Sequence, residues 1–243
     1  MEPVTYPRIL PAAESSVVVE FGNEINVLIN RKISGFIKRM SADPIDGILE
    51  MIPTFRSVLI NYEPRKISYY TLCKVLTENL ANLEADNDVT RRVIEIPVCY
   101  GGKYGPDLSF VAEHAGMSEK AVIKLHSSRP YLIYMLGFQP GFPYLGGLDP
   151  KLFTPRLETP RARIPAGSVG IGGEQTGLYP VASPAGWQII GTTPVKAYNP
   201  RRMPSIPYEA GDHILFKPIT EEEYLAIEEE EKTDSYEFRI TMK

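Results

Sequence analysis

The chain has 243 residues, of which 43% are hydrophobic and 23% charged, and its formal net charge is −4. That composition is ordinary for a globular protein of one or two domains. It contains no apolar run near the ~18 residues a membrane span needs, no secretory-type N-terminus, and no surplus of basic charge for nucleic acid. Two cysteines, Cys73 and Cys99, are too few for a disulfide scaffold or a thiolate zinc site, so two reduced thiols in a cytoplasmic protein are expected.

In chain order, residues 16–21 form a β-branched run that reads as a strand. Ile25, Leu28, Ile29, Ile33, Phe36, Ile37 and Met40 follow at helical spacing. Residues 48–52 and 57–62 read as two strands, and Tyr69, Leu72, Cys73, Leu76, Leu80 and Leu83 mark a second helix. Residues 92–100 read as strand again. The order strand, helix, strand, strand, helix, strand predicts a split βαβ, ferredoxin-like α+β domain over residues 1–90. The polar stretch 84–91 offers little to bury and is the expected boundary.

Residues 107–126 carry two short helical stripes separated by Gly116, with Ser118 as a cap. The spacing resembles a helix-turn-helix, but the second helix offers only Lys120, Lys124 and His126 in an acidic chain, so a packed hairpin is expected. Residues 130–207 then hold 13 of the 22 prolines and 11 of the 19 glycines, which excludes long helices. Short strands are expected at 131–136, 167–171, 178–181, 187–192 and 213–217, closing a β-barrel over residues 91–243. Thr220 and Glu223 form a capping box for a last helix, with Ile219 and Tyr224 as a staple. Eight acids and one base give residues 221–234 a charge of −7 and leave the rest at +3; this run reads as a solvated helix face or tail.

Two segments carry the chemistry. In GFQPGFPYLGG (137–147), prolines and glycines fix a stiff frame for Phe138, Phe142 and Tyr144. These aromatics either wall an apolar pocket or plug the barrel end. In RARIPAGSVGIGGEQTGLYP (161–180), Gly170 and Gly172 give only part of a dinucleotide fingerprint, with Gln175 in the third position and no helix after it. No P-loop sequence occurs anywhere. Arg163, Ser168, Glu174, Gln175, Thr176 and Tyr179 converge instead on a site for a small polar or anionic ligand, or else cap a series of turns. His114, His126 and His213 lack metal-ligand spacing, so no metal is expected. His126 reads either as a proton carrier near the pocket or as a surface residue at a helix end.

The motifs YMLGFQPGFPYLGG (134–147), IPAGSVGIGGEQTGLYP (164–180), PAGWQIIG (184–191) and RVIEIPVCYGGKYGP (92–106) closely resemble the KipI family. It is also called the allophanate hydrolase subunit 1 family, and its bacterial members are largely the B subunits (PxpB) of 5-oxoprolinase. The resemblance implies a small α/β domain followed by a cyclophilin-like barrel. It implies two partners, PxpA and the KipA-like PxpC, in ATP-dependent conversion of 5-oxoproline to glutamate. The family's namesake inhibits a sensor histidine kinase, and a urea or allophanate pathway role is a further alternative. Neither nucleic acid nor membrane is implied. Within the matched motifs, Phe138 and Phe142 are the candidate pocket walls. Arg163 would meet a carboxylate; Ser168, Gln175, Thr176 and Tyr179 would hydrogen-bond the substrate; His126 would move a proton. Without a P-loop, this chain binds ATP by no recognisable motif, and the isolated chain is expected to be inactive.

Overall fold

In a computed structural model, which describes residues 5–81, 83 and 92–242, the chain divides into two compact units, residues 1–89 and 90–243. The expected boundary at 84–91 lies outside the described residues.

In the first unit, β1 (Arg8–Ala13) and β2 (Ser16–Glu20) form a hairpin. After them come α1 (Val27–Ala42), β3 (Ile48–Pro53), β4 (Ser57–Tyr62) and α2 (Tyr69–Leu80). The sheet is antiparallel in the order β1-β2-β4-β3. Alternate residues Val17, Val19, Val58, Ile60 and Tyr62 are buried, so one face packs under the helices, which contribute Ile33, Phe36, Met40, Leu72 and Leu76. Asn26 caps α1 by accepting from the Leu28 amide, and Ser68 caps α2 by accepting from that of Thr71. The fourth strand differs from the expected ferredoxin-like connectivity. Residues 92–100 do not join this sheet; the edge beside β2 is filled from before it in sequence, by β1. The reason is local: residues 9–13 (ILPAA) carry no strand alternation, yet the tight turn at Glu14 folds them back onto β2.

The second unit opens with β5 (Arg92–Tyr100), followed by α3 (Leu108–His114), α4 (Glu119–His126), β6 (Tyr131–Leu136) and β7 (Pro143–Gly146). Next come β8 (Arg161–Ile164), β9 (Ser168–Gly172), β10 (Gln175–Leu178), β11 (Ser183–Ala185), β12 (Gln188–Thr192) and β13 (His213–Pro218). Last are α5 (Glu221–Lys232) and β14 (Ile240–Met242). Seven strands close a mixed barrel in the order β12-β9-β10-β7-β6-β13-β5, with β5 returning to β12. Only β13 and β5 run parallel. The long β5 shares one edge between two neighbours, pairing with β14 through Arg92–Ile94 and with β12 through Cys99 and Tyr100. Closure of this kind leaves few open strand edges, and the barrel fits the cyclophilin-like expectation.

Ile94, Ile96, Tyr131, Ile133, Val169, Ile171, Ile190, Ile214 and Phe216 fill the barrel core, joined by Leu108, Val111, Ala112 and Val122 from the α3–α4 hairpin. The strand expected at 178–181 lies earlier, at Gln175–Leu178, because Pro180 lacks an N–H and Gly173, at φ +66°, makes the β9–β10 connection a two-residue turn. Strands β7, β8 and β11 are too short to show a period. The Thr220–Glu223 capping box forms as read, with the Thr220 amide donating to Glu223 Oε2 at 2.7 Å and the Glu223 amide to Thr220 Oγ1 at 3.2 Å. One acid of the run is not solvated: Glu231 is buried, and its carboxylate accepts from the Lys196 amide at 3.0 Å. No described helix is long and apolar enough to cross a membrane.

Candidate functional site

The glycines of the β9–β10 hairpin have a purpose the sequence left open. On these strands Val169, Ile171, Thr176 and Leu178 face inward, so Gly170, Gly172 and Gly177 face outward. There they meet the sole tryptophan. A Cβ on Gly172 would lie 2.3 Å from Trp187 Cδ1, and one on Gly177 would lie 3.0 Å from its Cζ3. The hairpin is thus a flat floor on which the indole lies, with no phosphate cradle.

Around the indole is a second, smaller core on the outside of the barrel: Phe142, Ile164, Tyr179, Ala185, Trp187 and Ile189, with Tyr144 against it. Phe142 is its hub, with ring centroids 5.1 Å from Tyr144, 5.1 Å from Tyr179 and 5.9 Å from Trp187, all edge-to-face. Such pairs contribute about 0.5–1.5 kcal/mol each beyond buried area. The β8–β11 ribbon supplies Ile164 and Ala185. Arg161 ties that ribbon down, donating to Asp107 Oδ1 at 2.7 Å, while Asp107 Oδ2 accepts from the Ile189 amide at 2.6 Å.

At the rim are exposed polar and apolar groups. Arg156 is exposed, with its Cζ 5.8 Å from the Trp187 ring centre. Phe138 is 67% exposed and leans edge-on against Phe142 at 5.6 Å. Its φ is +62°, and the Gln139 amide donates to the Gly137 carbonyl at 2.6 Å. This is the rarer, strained kind of γ-turn, built under a bulky residue. The side-chain oxygen of Gln139 in this turn is buried without a hydrogen-bond partner. Burial pushes the Tyr179 hydroxyl up to about 12, with nearby Arg156 pulling the other way.

The expected site residues are only partly brought together. Phe142 and Tyr179 meet in the outer cluster, and Phe138 flanks it. Phe142 and Tyr179 are packed, 3% and 4% exposed, in a cluster separate from the barrel core. Gln175 opens β10 opposite Gly172, on the same strand face as Gly177 and thus beside the indole. Arg163 is exposed on β8 and, among the described residues, forms no ion pair. Ser168 is fully buried and donates to the Pro165 carbonyl at 2.8 Å, a turn-capping role.

Thr176 and His126 lie elsewhere. Both are fully buried, and the imidazole Nε2 is 2.7 Å from Thr176 Oγ1. Nδ1 is 2.8 Å from the Tyr100 hydroxyl, and the ring stacks on Phe216 at 4.8 Å. Burial lowers the His126 pKa to about 3. A sealed, neutral imidazole with both nitrogens engaged does not suit the proton-carrying role expected of it, nor is it a surface residue. Thr176, spent on this contact, is likewise withdrawn from any substrate.

Sequence reasoning passed over Trp187, Arg156, Arg161 and Asp107. Only Trp187 carried a signal, as the lone tryptophan inside PAGWQIIG. The cavity described in the first unit, about 390 Å³ and lined by Ile37, Met40, Ile45, Ile48 and Met51 among others, contains none of the expected residues. Among the described residues no three His, Cys, Asp or Glu side chains come together to hold a metal ion.

Residues 7–208 match the family model described as carboxyltransferase domain, subdomain C and D. The chain is 41% identical over 227 residues to the 5-oxoprolinase B subunit of Bacillus subtilis (strain 168), in a match covering 89% of this chain and 95% of that one. The solved structure of TTHA0988 superposes with a TM-score of 0.75 at 35% identity, over 84% of this chain but only 40% of that longer one. The K. lactis urea amidolyase, at 24% identity, shares the fold alone, with a TM-score of 0.78 over 97% of this chain and 16% of that one. The glycine, proline and aromatic motifs that build the Trp187 floor and its cover lie within the family match, and the chain belongs to the carboxyltransferase subdomain C and D family that also holds the 5-oxoprolinase B subunits.

Proposed function

We propose that this chain is the B subunit of an ATP-dependent 5-oxoprolinase, opening 5-oxo-L-proline to L-glutamate with PxpA-like and KipA-like (PxpC) partners. The observation that carries the reading is the 41% identity, along 95% of that protein's length, to a 5-oxoprolinase B subunit. The B designation of that relative also calls for companion subunits. Ring opening adds water across a resonance-stabilised amide bond, and ATP hydrolysis supplies the drive. The sequence has no P-loop, which fits a division of labour in which another subunit holds the nucleotide. What this chain contributes is a surface: the rim of the Trp187 cluster, where Phe138, Gln175, Arg156 and the Tyr179 hydroxyl surround a rigid floor. The cluster is packed, which fits a half-site completed by a partner. His126 and Thr176 stay inside the barrel as structural groups.

The fold shared with urea amidolyase favours one second reading, a part in urea or allophanate turnover. A gene deletion separates the two. In the deletion strain, 5-oxoproline accumulates in cell extracts and re-expression clears it. Unchanged 5-oxoproline together with a defect confined to urea utilisation overturns the proposal in favour of the second reading.

A further inference from the structure

Resting on that reading, we propose that Arg156, laid over the Trp187 indole beside the Tyr179 hydroxyl, binds the carboxylate of a small cyclic-amide acid and selects it over the uncharged lactam. The role falls to Arg156 and not to Arg163, the arginine that the sequence motif singles out.

Three observations support it. First, Arg156 is held but not neutralised. Its guanidinium sits 5.8 Å from the indole centre, a cation–π contact, yet among the described residues it forms no ion pair. By contrast Arg129, Arg161 and Arg201 each have an aspartate within 2.9 Å. Second, two nearly buried side chains of the same cluster each keep an unused donor. Tyr179 is 4% exposed and Trp187 5%. Neither the phenol nor the indole N–H has a hydrogen-bond partner among the described residues, and neither atom is sealed from solvent. Both donors are therefore open to a ligand group that takes the place of water. Third, no acidic side chain answers the guanidinium. Neither Glu158 nor Glu174, the acids on the flanking segments, pairs with Arg156.

One guanidinium fork with two neutral single-hydrogen donors matches a planar monoanion. A carboxylate takes the fork in bidentate fashion. Phosphate esters call for more positive charge or a run of free backbone amides, and the glycines here are occupied by the indole floor. The exposed ring of Phe138 supplies a flat apolar edge for the body of the ligand.

Trp187 is the sole tryptophan, so its emission reports this site alone. The full chain is titrated with 5-oxoproline, with 2-pyrrolidinone (the same ring without the carboxylate) and with inorganic phosphate. 5-Oxoproline changes the emission saturably, while 2-pyrrolidinone and phosphate bind about tenfold or more weakly. Arg156→Ala weakens 5-oxoproline by about the same factor and leaves 2-pyrrolidinone unchanged; Arg156→Lys restores part of the loss. The residue is exposed, so an unchanged unfolding midpoint is expected to accompany the loss. In the assembled enzyme Arg156→Ala raises the KM for 5-oxoproline by a similar factor with a smaller change in kcat. Equal affinities of wild type and Arg156→Ala, or of 5-oxoproline and 2-pyrrolidinone, overturn the assignment. If the isolated chain gives no emission change, the KM comparison in the assembly decides: an unchanged KM overturns it. Failure of the wild-type assembly to hydrolyse 5-oxoproline at all refutes the proposed function instead, and the emission titration with other small cyclic carboxylates then decides the Arg156 assignment by itself.

Discussion

His126 Nε2 and Thr176 Oγ1 lie 2.7 Å apart in the buried core, and that contact fixes the tautomer of the histidine. Thr176 spends its only hydroxyl hydrogen on the Gly170 carbonyl, 3.0 Å away, so Nε2–H must be the donor to Thr176. Nδ1 is then bare and accepts from the Tyr100 hydroxyl at 2.8 Å. Tyr131 closes the set by donating to the His126 carbonyl at 2.7 Å. Every donor has one acceptor, and the network holds α4 against three strands of the barrel.

This network has a pH signature. The folded His126 titrates near 3, against about 6.5 in the unfolded chain. Above pH 6.5 the imidazole is neutral in both states and contributes no slope. Below it the unfolded chain binds a proton that the folded one excludes, so stability falls with falling pH by about 1.4 kcal/mol per unit until the folded group titrates. Denaturant midpoints from pH 7 to 4 for wild type and His126→Gln differ in slope by about one proton. ¹⁵N shifts of the wild-type imidazole show the neutral Nε2–H form throughout that range. A protonated His126 at pH 6 contradicts the arrangement.

Gly172→Ala tests the indole floor. The new Cβ would lie 2.3 Å from the ring, and overpacking of this kind costs about 1–3 kcal/mol. The expected result is a lower unfolding midpoint with a red-shifted Trp187 emission, as the ring is pushed from its bed. Unchanged emission would mean that the hairpin is not what holds the indole.

Phe138 tests the strained turn. An L-residue at φ +62° costs about 1 kcal/mol relative to glycine, and the exposed ring returns little of it. Phe138→Gly therefore leaves the unfolding midpoint within about 1 kcal/mol of wild type, because relief of strain offsets the added freedom of the unfolded chain. Turnover by the assembly falls several-fold in the same variant. A variant with full turnover removes Phe138 from the site.

Asp107 joins segments far apart in sequence, accepting from Arg161 through one oxygen and from the Ile189 amide through the other. Asp107→Ala leaves both donors unanswered and is expected to cost about 2–4 kcal/mol by chemical denaturation. Asp107→Asn retains one acceptor and loses less. A loss in Asp107→Asn as large as in Asp107→Ala would show that the retained acceptor contributes nothing.

The elements visible in the sequence were those long enough to show a period. Helices α1 and α2 announced themselves through Ile33, Phe36, Met40, Leu72 and Leu76, and β4 through its alternation. Strand β1 did not, since Pro11 and two alanines give it no pattern and only pairing with β2 makes it a strand. The destination of residues 92–100 was equally hidden, because an apolar run does not say which sheet it enters, and β5 pairs with the distant β13 in the barrel. At the site, the motif residues were legible but their directions were not. Ser168 and Gln175 look alike in sequence, yet one is sealed under Pro165 and the other opens a strand beside the indole. Arg156 carries no motif at all; its place is set by the fold.

Glutamate release from 5-oxoproline and ATP by the partner subunits, with and without this chain, tests the central claim most directly. The account predicts no turnover from this chain alone, none or nearly none from the partners alone, and ATP-coupled release when they are combined. Full activity of the partners without it, or steady turnover by the isolated chain, would contradict the account.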